Sequence, residues 1–282
     1  MILLTFARLT VVEAARRRVL WALGGMAVLI VGLSFWAFAR LPAVHASGPG
    51  MSTADAHFAT AEVLSFVLFA LSFVGALGMS FVATPTIAGE LQSGVAQSVL
   101  ARPVSRCEVL MGKWLGLATL AVGYVAVVGA VEIAAAEIGT GYHVPQPAAA
   151  IAFLAMQAVA LLSLALLLST LLSSLAAGIV SVGLFGTAWV AGLVGDLGAS
   201  LNDHSLIEVG TVDHLLIPTD GLWRGVVHAL DDPAMTWSFV DELTGNPFVQ
   251  RAGMTAGYLG WTVAWTAAVL IAAHFRFARA EP

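Results

Sequence analysis

Residues 149–197, AAIAFLAMQAVALLSLALLLSTLLSSLAAGIVSVGLFGTAWVAGLVGDL, contain a single ionisable side chain, Asp196. A helix needs about 20 mostly apolar residues to cross a hydrocarbon core about 30 Å thick, so this stretch can cross twice. Leu172-Ser173-Ser174-Leu175 is the only break in it, and so short a joint predicts a tight antiparallel hairpin of Ala149–Leu172 and Leu175–Leu197. Runs of this length must be helices, because lipid offers no partner for the edge of an open strand. Ser163, Ser169, Thr170, Ser173, Ser174, Gly178, Gly183 and Gly186 give the hairpin a small-residue face suited to close packing in lipid.

Four more runs of the same kind flank it: Val19–Ala39, Val63–Ala88, Leu115–Ala136 and Ala252–Phe275. The whole chain agrees with them. It has 282 residues, 59% hydrophobic and 10% charged, and a mean hydropathy of +0.92, whereas a soluble domain is about one quarter charged. The expected fold is an all-α membrane protein with six transmembrane helices in one domain, residues 1–282. A net charge of −5 argues against a nucleic-acid binder working through a basic surface. The single cysteine, Cys107, cannot form an internal disulfide, and no Cys/His spacing makes a zinc site. Val44-His45-Ala46 resembles a signal cleavage site, but the apolar run before it exceeds the signal core of about 7–15 residues.

Basic residues set the orientation. With the N-terminus inside, Arg8, Arg16, Arg17, Arg18, Arg102, Arg106, Lys113, Arg276 and Arg279 face the cytoplasm, and only Arg40, Arg224 and Arg251 face outward. Six spans return the C-terminus to the same side, and both termini are basic. Residues 1–18 ahead of the first span suit an interfacial helix with Leu3, Leu4, Ala7, Val11, Ala14 and Ala15 on its apolar arc. Residues 198–250 are long for a connection and carry interleaved apolar residues in Ser205–Leu216 and Gly221–Leu230. They predict short amphipathic or re-entrant helices, with Trp223 and Trp237 as interfacial anchors.

The cytoplasmic stretch 89–112, GELQSGVAQSVLARPVSRCEVLMG, is richer in charge than a simple joint requires. Pro103 biases Arg102 away from helix, so a helix should end near Leu100. A second should start at Ser105, where Ser105 and Glu108 have the spacing of a capping box. The result is a compact hairpin, readable as a docking surface or as a solvated turn that anchors topology.

Chemistry-bearing motifs are sparse. There is no P-loop, because Gly112-Lys113 lacks the preceding glycine loop, and no HExxH or GxSxG. The chain is therefore expected to be a non-enzymatic subunit that binds neither nucleotide nor metal itself. His45, His57, His143, His204, His214 and His228 fall in three outer loops without the spacing of a ligand pair. Glu132 and Glu137 near the outer end of the third span are the intramembrane polar candidates, and Glu132 is the better placed for a cavity or a proton relay.

The hairpin and its flanks carry a resemblance. Ile87-Ala88-Gly89-Glu90, Ser93-Gly94, Leu100-Ala101-Arg102-Pro103-Val104-Ser105-Arg106 and Glu108-Val109-Leu110-Met111-Gly112-Lys113 resemble the signature of ABC-2-type permeases, the membrane subunits of ATP-binding-cassette exporters. Ile217-Pro218-Thr219-Asp220 before Leu222-Trp223-Arg224 is similar to a segment of the permease of nitrous-oxide reductase maturation and its relatives. One position departs: Val95 stands where that family usually has threonine. The resemblance implies a separate cytoplasmic ATPase subunit that binds ATP and Mg, and a second permease chain, identical or sister, sharing the path in the lipid of a prokaryotic plasma membrane. It implies a coupling hairpin whose candidate ATPase contacts are Glu90, Gly94, Arg102, Pro103, Arg106 and Glu108. It also implies an outer-gate segment at Pro218, Thr219 and Asp220. Two other classes compete with it: a proton-coupled secondary transporter using Glu132, and a non-transporting membrane assembly subunit.

Overall fold

The computed structural model describes residues 2–47, 53–93, 105–231 and 253–279, with the backbone alone for 42–47, 54 and 90–93. The described residues form nine helices and no strands: α1 (Ile2–Ala15), α2 (Arg18–Ser47), α3 (Thr53–Ser93), α4 (Arg106–Thr140), α5 (Pro147–Ser169), α6 (Ser174–Leu201), α7 (His204–Leu216), α8 (Thr219–Leu230) and α9 (Ala256–Arg279). Six of them, α2–α6 and α9, are long and apolar enough to cross a membrane, and each contains most or all of one of the expected runs. α4 extends beyond its apolar run at both ends, and both ends are capped. Ser105 accepts from the Glu108 amide while the Glu108 side chain accepts from the Ser105 amide, so the capping box is formed at the start of α4. Gly141, in the left-handed conformation (φ 73°), ends the same helix by donating to Glu137 O. The joint between α5 and α6 is four residues, Thr170–Ser173, so the tight hairpin stands.

Two apolar clusters occupy the two ends of the bundle. One joins Ala14 of α1, Val82–Ile87 of α3, Leu110 and Leu117 of α4, Leu162–Leu166 of α5 and Ala273 and Phe277 of α9, so both chain ends lie at the same end. The other joins Phe38, Leu64, Leu68, Leu71, Ile133, Leu154 and the α8 residues Trp223, Val226, Val227 and Leu230. Lipid tails are as apolar as these side chains, so the bundle is held by close packing and by hydrogen bonds between helices more than by water exclusion.

Close packing also sets which face of the first helix is buried. The buried residues of α1 are Ala7, Thr10 and Ala14, while Leu4 of the expected apolar arc is 65% exposed. The reason lies in α4: a Cβ at Gly112 would fall 2.6 Å from Phe6 Cβ, and one at Gly116 would fall 2.5 Å from Ala7 O. A GxxxG groove thus receives the small side of α1 and turns its leucines outward.

Trp223 is a correction. It is 2% exposed and sits edge-on to Phe69 with ring centroids 5.4 Å apart, a core residue and not an interfacial anchor. The reason is that α8 does not lie on the surface; it is buried along nearly its whole length. Trp237 lies outside the described residues. Of the small-residue face, Gly178 packs under the Phe81 ring and Ser181 pairs with Ser80 at 3.0 Å, but Gly183 and Gly186 face open space.

Helices α7 and α8 form a hairpin that folds back into the bundle. α7 runs back along α6: a Cβ at Gly198 would meet Ile207 N at 2.6 Å, and one at Gly195 would meet Gly210 Cα at 3.0 Å. α8 then returns along α5. At its C-terminal end Gln146 N donates to Ala229 O (3.1 Å) and Tyr142 Oη to Leu230 O (2.5 Å). At its start Gln157 Nε2 donates to Thr219 O (2.9 Å). Gln157 stands about ten residues inside α5, so the hairpin's apex reaches about 15 Å along that helix. On the outward side of α7, Val209, Val212, Leu215 and Leu216 are exposed, with Glu208 and Thr211 beside them.

Candidate functional site

The apex of this hairpin collects the charged side chains that the apolar chain otherwise lacks. Arg224 of α8 donates from Nη1 and Nη2 to the two carboxylate oxygens of Asp196 on α6 (2.7 and 2.9 Å) and from Nη2 to Gly192 O (3.0 Å). Its Nε donates to Asp220 Oδ2 (2.9 Å), one helical turn back. His214 Nε2 stands 2.7 Å from the same oxygen; an ionised carboxylate only accepts, so Nε2 carries the proton. Tyr258 of α9 donates its hydroxyl to His214 O (3.0 Å), and Trp261 donates to Leu215 O (3.2 Å). Burial works against the Arg224 charge, but the Asp196 hydrogen bonds and the Asp220 charge hold the guanidinium above its ordinary value. Arg224 with Asp196 and Asp220 joins α6, α7 and α8, and Tyr258 and Trp261 bring in α9 through backbone carbonyls of α7.

Glycine makes this possible. A Cβ at position 192 would place Asp220 Cγ, Oδ1 and Oδ2 all within 2.6 Å, so the carboxylate occupies the space that a side chain would take. Beside it, Gln157 accepts from Ser72 of α3 (2.8 Å) while holding Thr219 O. The expected outer-gate residues are thus tied to α3, α5, α6 and α9, with Thr219 1% and Asp220 5% exposed. An open cavity of about 220 Å³, lined by His214, Arg224, Tyr258, Thr255 and Met254 among others, leads to the network.

At the other end of the bundle lie the candidate coupling residues. Arg106 Nη1 donates to Phe277 O and Ala278 O (both 3.0 Å), capping the last turn of α9. Glu108 is committed to the capping box, and its hydroxyl partner Ser105 lies 2.8 Å away. Lys113, 5% exposed, donates to Thr86 O of α3 at 2.8 Å. Glu90 lies on α3 near its end, where only the backbone is described, and Gly94, Arg102 and Pro103 lie outside the described residues.

The structure separates the two intramembrane acids. Glu132 is fully buried on α4; it accepts from Ser34 Oγ of α2 through Oε2, and its Oε1 has no partner. Glu137 is half-exposed, with His143 Nδ1 at 3.7 Å. Of the outer histidines, His214 belongs to the apex network and His57 stacks near Tyr142 with ring centroids 5.6 Å apart. Among the described residues no three His, Cys, Asp or Glu side chains are grouped to hold a metal.

Sequence reading singled out Pro218-Thr219-Asp220 but missed its partners Gln157, Asp196, Arg224 and Tyr258. A signal was present: Gln157 and Asp196 are the amide and the acid inside the apolar stretch 149–197, where an unpartnered polar group is expensive.

Six membrane-length helices with a polar, helix-bridging hairpin folded back among them define a multi-spanning membrane protein. The chain belongs to the ABC-2 family of transporter proteins, whose family model matches residues 5–281. Among curated proteins no sequence matches it. Family membership makes the chain a membrane subunit of an ABC transporter, whose general partner is an ABC ATPase.

Proposed function

We propose that this chain is the permease subunit of an ABC exporter, coupled to a separate cytoplasmic ATPase through residues 89–112. The observation that carries this reading is the anchoring of the start of α4. Arg106 ties it to the last carbonyls of α9, Lys113 ties it to α3, and α1 lies in its Gly112–Gly116 groove. A push on residues 94–104 from an ATPase would reach four helices through these contacts. Glu90, Gly94, Arg102, Pro103 and Arg106 are the proposed contact set, with Glu108 keeping the helix start rigid. Arg106 acts there in two ways, as a charge at the surface and as the cap of α9. ATP and Mg are bound by the partner.

On this reading both termini face the cytoplasm of a prokaryotic cell, and a second permease chain completes the path. The α7–α8 hairpin is a re-entrant element that closes the outer side, with Pro218, Thr219 and Asp220 at its apex. Its apex lies about halfway along a helix that crosses a core about 30 Å thick, and the exposed stripe of Val209, Val212 and Leu216 on α7 suits contact with lipid. A photoreactive residue at Val95 or Val104 tests the docking assignment. It should capture a soluble ATP-binding protein in the native host; capture of lipid alone contradicts it. The competing proton-coupled reading rests on Glu132, whose one hydrogen-bond partner among the described residues is Ser34.

A further inference from the structure

The apex network has three carboxylates, Asp196, Asp213 and Asp220, against one arginine and one histidine, and one of the three is left over. Asp213 on α7 is 9% exposed, and its Oδ2 has no hydrogen-bond partner. It faces Asp220 and Arg224 of α8, His214 of its own helix and Tyr258 of α9, while Asp196 of α6 enters through Arg224. Four of the five Arg224 N–H groups are taken by Asp196, Asp220 and Gly192 O, and His214 Nε2 by Asp220. Among the described residues neither cation is hydrogen-bonded to Asp213, although the charges of His214 and Arg224 act on it and partly offset that of Asp220.

We infer that Asp213 is a proton-binding site that sets whether the α7–α8 hairpin stays closed against α6 and α9. This rests on the reading of that hairpin as the outer gate. With Asp213 protonated, the buried carboxyl is neutral and Asp220 holds His214 and Arg224 undisturbed. With Asp213 ionised, an unpaired charge is buried beside Asp220 and repels the carboxylate on which the closure depends. Opening the hairpin returns Asp213 to water and relieves both costs. The open cavity lined by His214, Arg224 and Tyr258 reaches three of the side chains that face Asp213.

The direction of the pH effect follows. Burial, then the charge of Asp220, raises the Asp213 carboxyl from its ordinary 3.8 to about 6. A group whose pKa is raised in the closed state stabilises that state fully below its ordinary value and ceases to do so as pH rises past about 6. Closure is therefore tightest in acid and loosest at neutral pH. A dry site would change the closed-to-open ratio about a hundredfold, and water in the cavity reduces this to about tenfold.

The test uses the full chain in lipid nanodiscs, with Cys107→Ser and spin labels at Val212→Cys on α7 and Val263→Cys on α9. The distance distribution should shift between about pH 4.5 and pH 7.5, with the short distance gaining about tenfold in acid. Asp213→Asn should keep the acid distribution at every pH. Asp213→Ser, smaller in the same space, should do the same if the asparagine variant folds poorly. A wild-type distribution that ignores pH overturns the proposal. So does a shift that survives Asp213→Asn or Asp213→Ser, or one that is abolished by His214→Gln alone. Cross-linking the two cysteines separates this from the gate reading. If Asp213 controls the distance but the cross-link leaves ATP-driven transport unchanged, the proton site stands and the gate assignment falls.

Discussion

Replacing Gly192 with alanine should disrupt the apex network by steric means alone. The added methyl would fall within 2.6 Å of three Asp220 atoms, and no rotation of a methyl group avoids them. Asp220 must leave, which removes its bonds to His214 and Arg224 and leaves Arg224 on Asp196 and Gly192 O. Each hydrogen bond to a charged group contributes about 1.5–3 kcal/mol in a buried setting, and water from the cavity recovers part of that. Alanine gains about 1 kcal/mol over glycine within a helix. The expected net loss is about 2–3 kcal/mol, a fall in Tm of about 5–10 °C. Gly183 on the same helix is the control, since a Cβ there meets nothing within 4 Å. Gly183→Ala should be neutral or stabilising by up to about 1 kcal/mol. Thermal unfolding of both variants in the same detergent, followed by tryptophan fluorescence, makes the comparison. Equal stability of the two would refute the claim that Gly192 is kept empty for Asp220.

Three further outcomes are expected. Gln157→Leu removes the bond to Thr219 O and the acceptor for Ser72, so it should destabilise the chain by about 1–2 kcal/mol and loosen α8; hydrogen exchange at the start of α8 reads this directly. Arg102→Ala with Arg106→Ala should weaken ATPase association or uncouple hydrolysis from transport, and the wild-type association should weaken as salt rises if the contact is exposed; Arg106→Ala alone should also raise exchange at Phe277–Arg279, where it caps α9. Glu132→Gln keeps the shape and a partner for Ser34, so stability and ATP-driven transport should both remain close to wild type, measured across pH. Loss of transport there would favour the proton-coupled reading.

How much of this was legible in the sequence depended on which force set each feature. The six spans were readable because they follow from hydropathy summed over about 20 residues. Ser105 and Glu108 were equally readable in kind, because capping is local chemistry. The contacts of α1 were not, because the surface that selects its buried side is a pair of glycines, Gly112 and Gly116, on another helix. Trp223 was misplaced because its composition fits an interface, while its position is decided by the fold-back of α8 against α3 and α5. Pro218-Thr219-Asp220 was recognised as a segment, but its partners Asp196, Gln157 and Tyr258 come from three different helices, and no local pattern connects them. Arg106 shows the reverse case: its charge suggested a contact outside the chain, and the structure gives it a first partner at the end of α9.

The most direct test of the account is to tag the chain at its C-terminus, extract it gently from its native membrane and identify what co-purifies. The account predicts a stoichiometric soluble protein with nucleotide-binding motifs, and ATP hydrolysis by the complex that falls when Arg102 and Arg106 are both replaced. Recovery of the chain without such a protein, with transport that follows pH and ignores ATP, would contradict it.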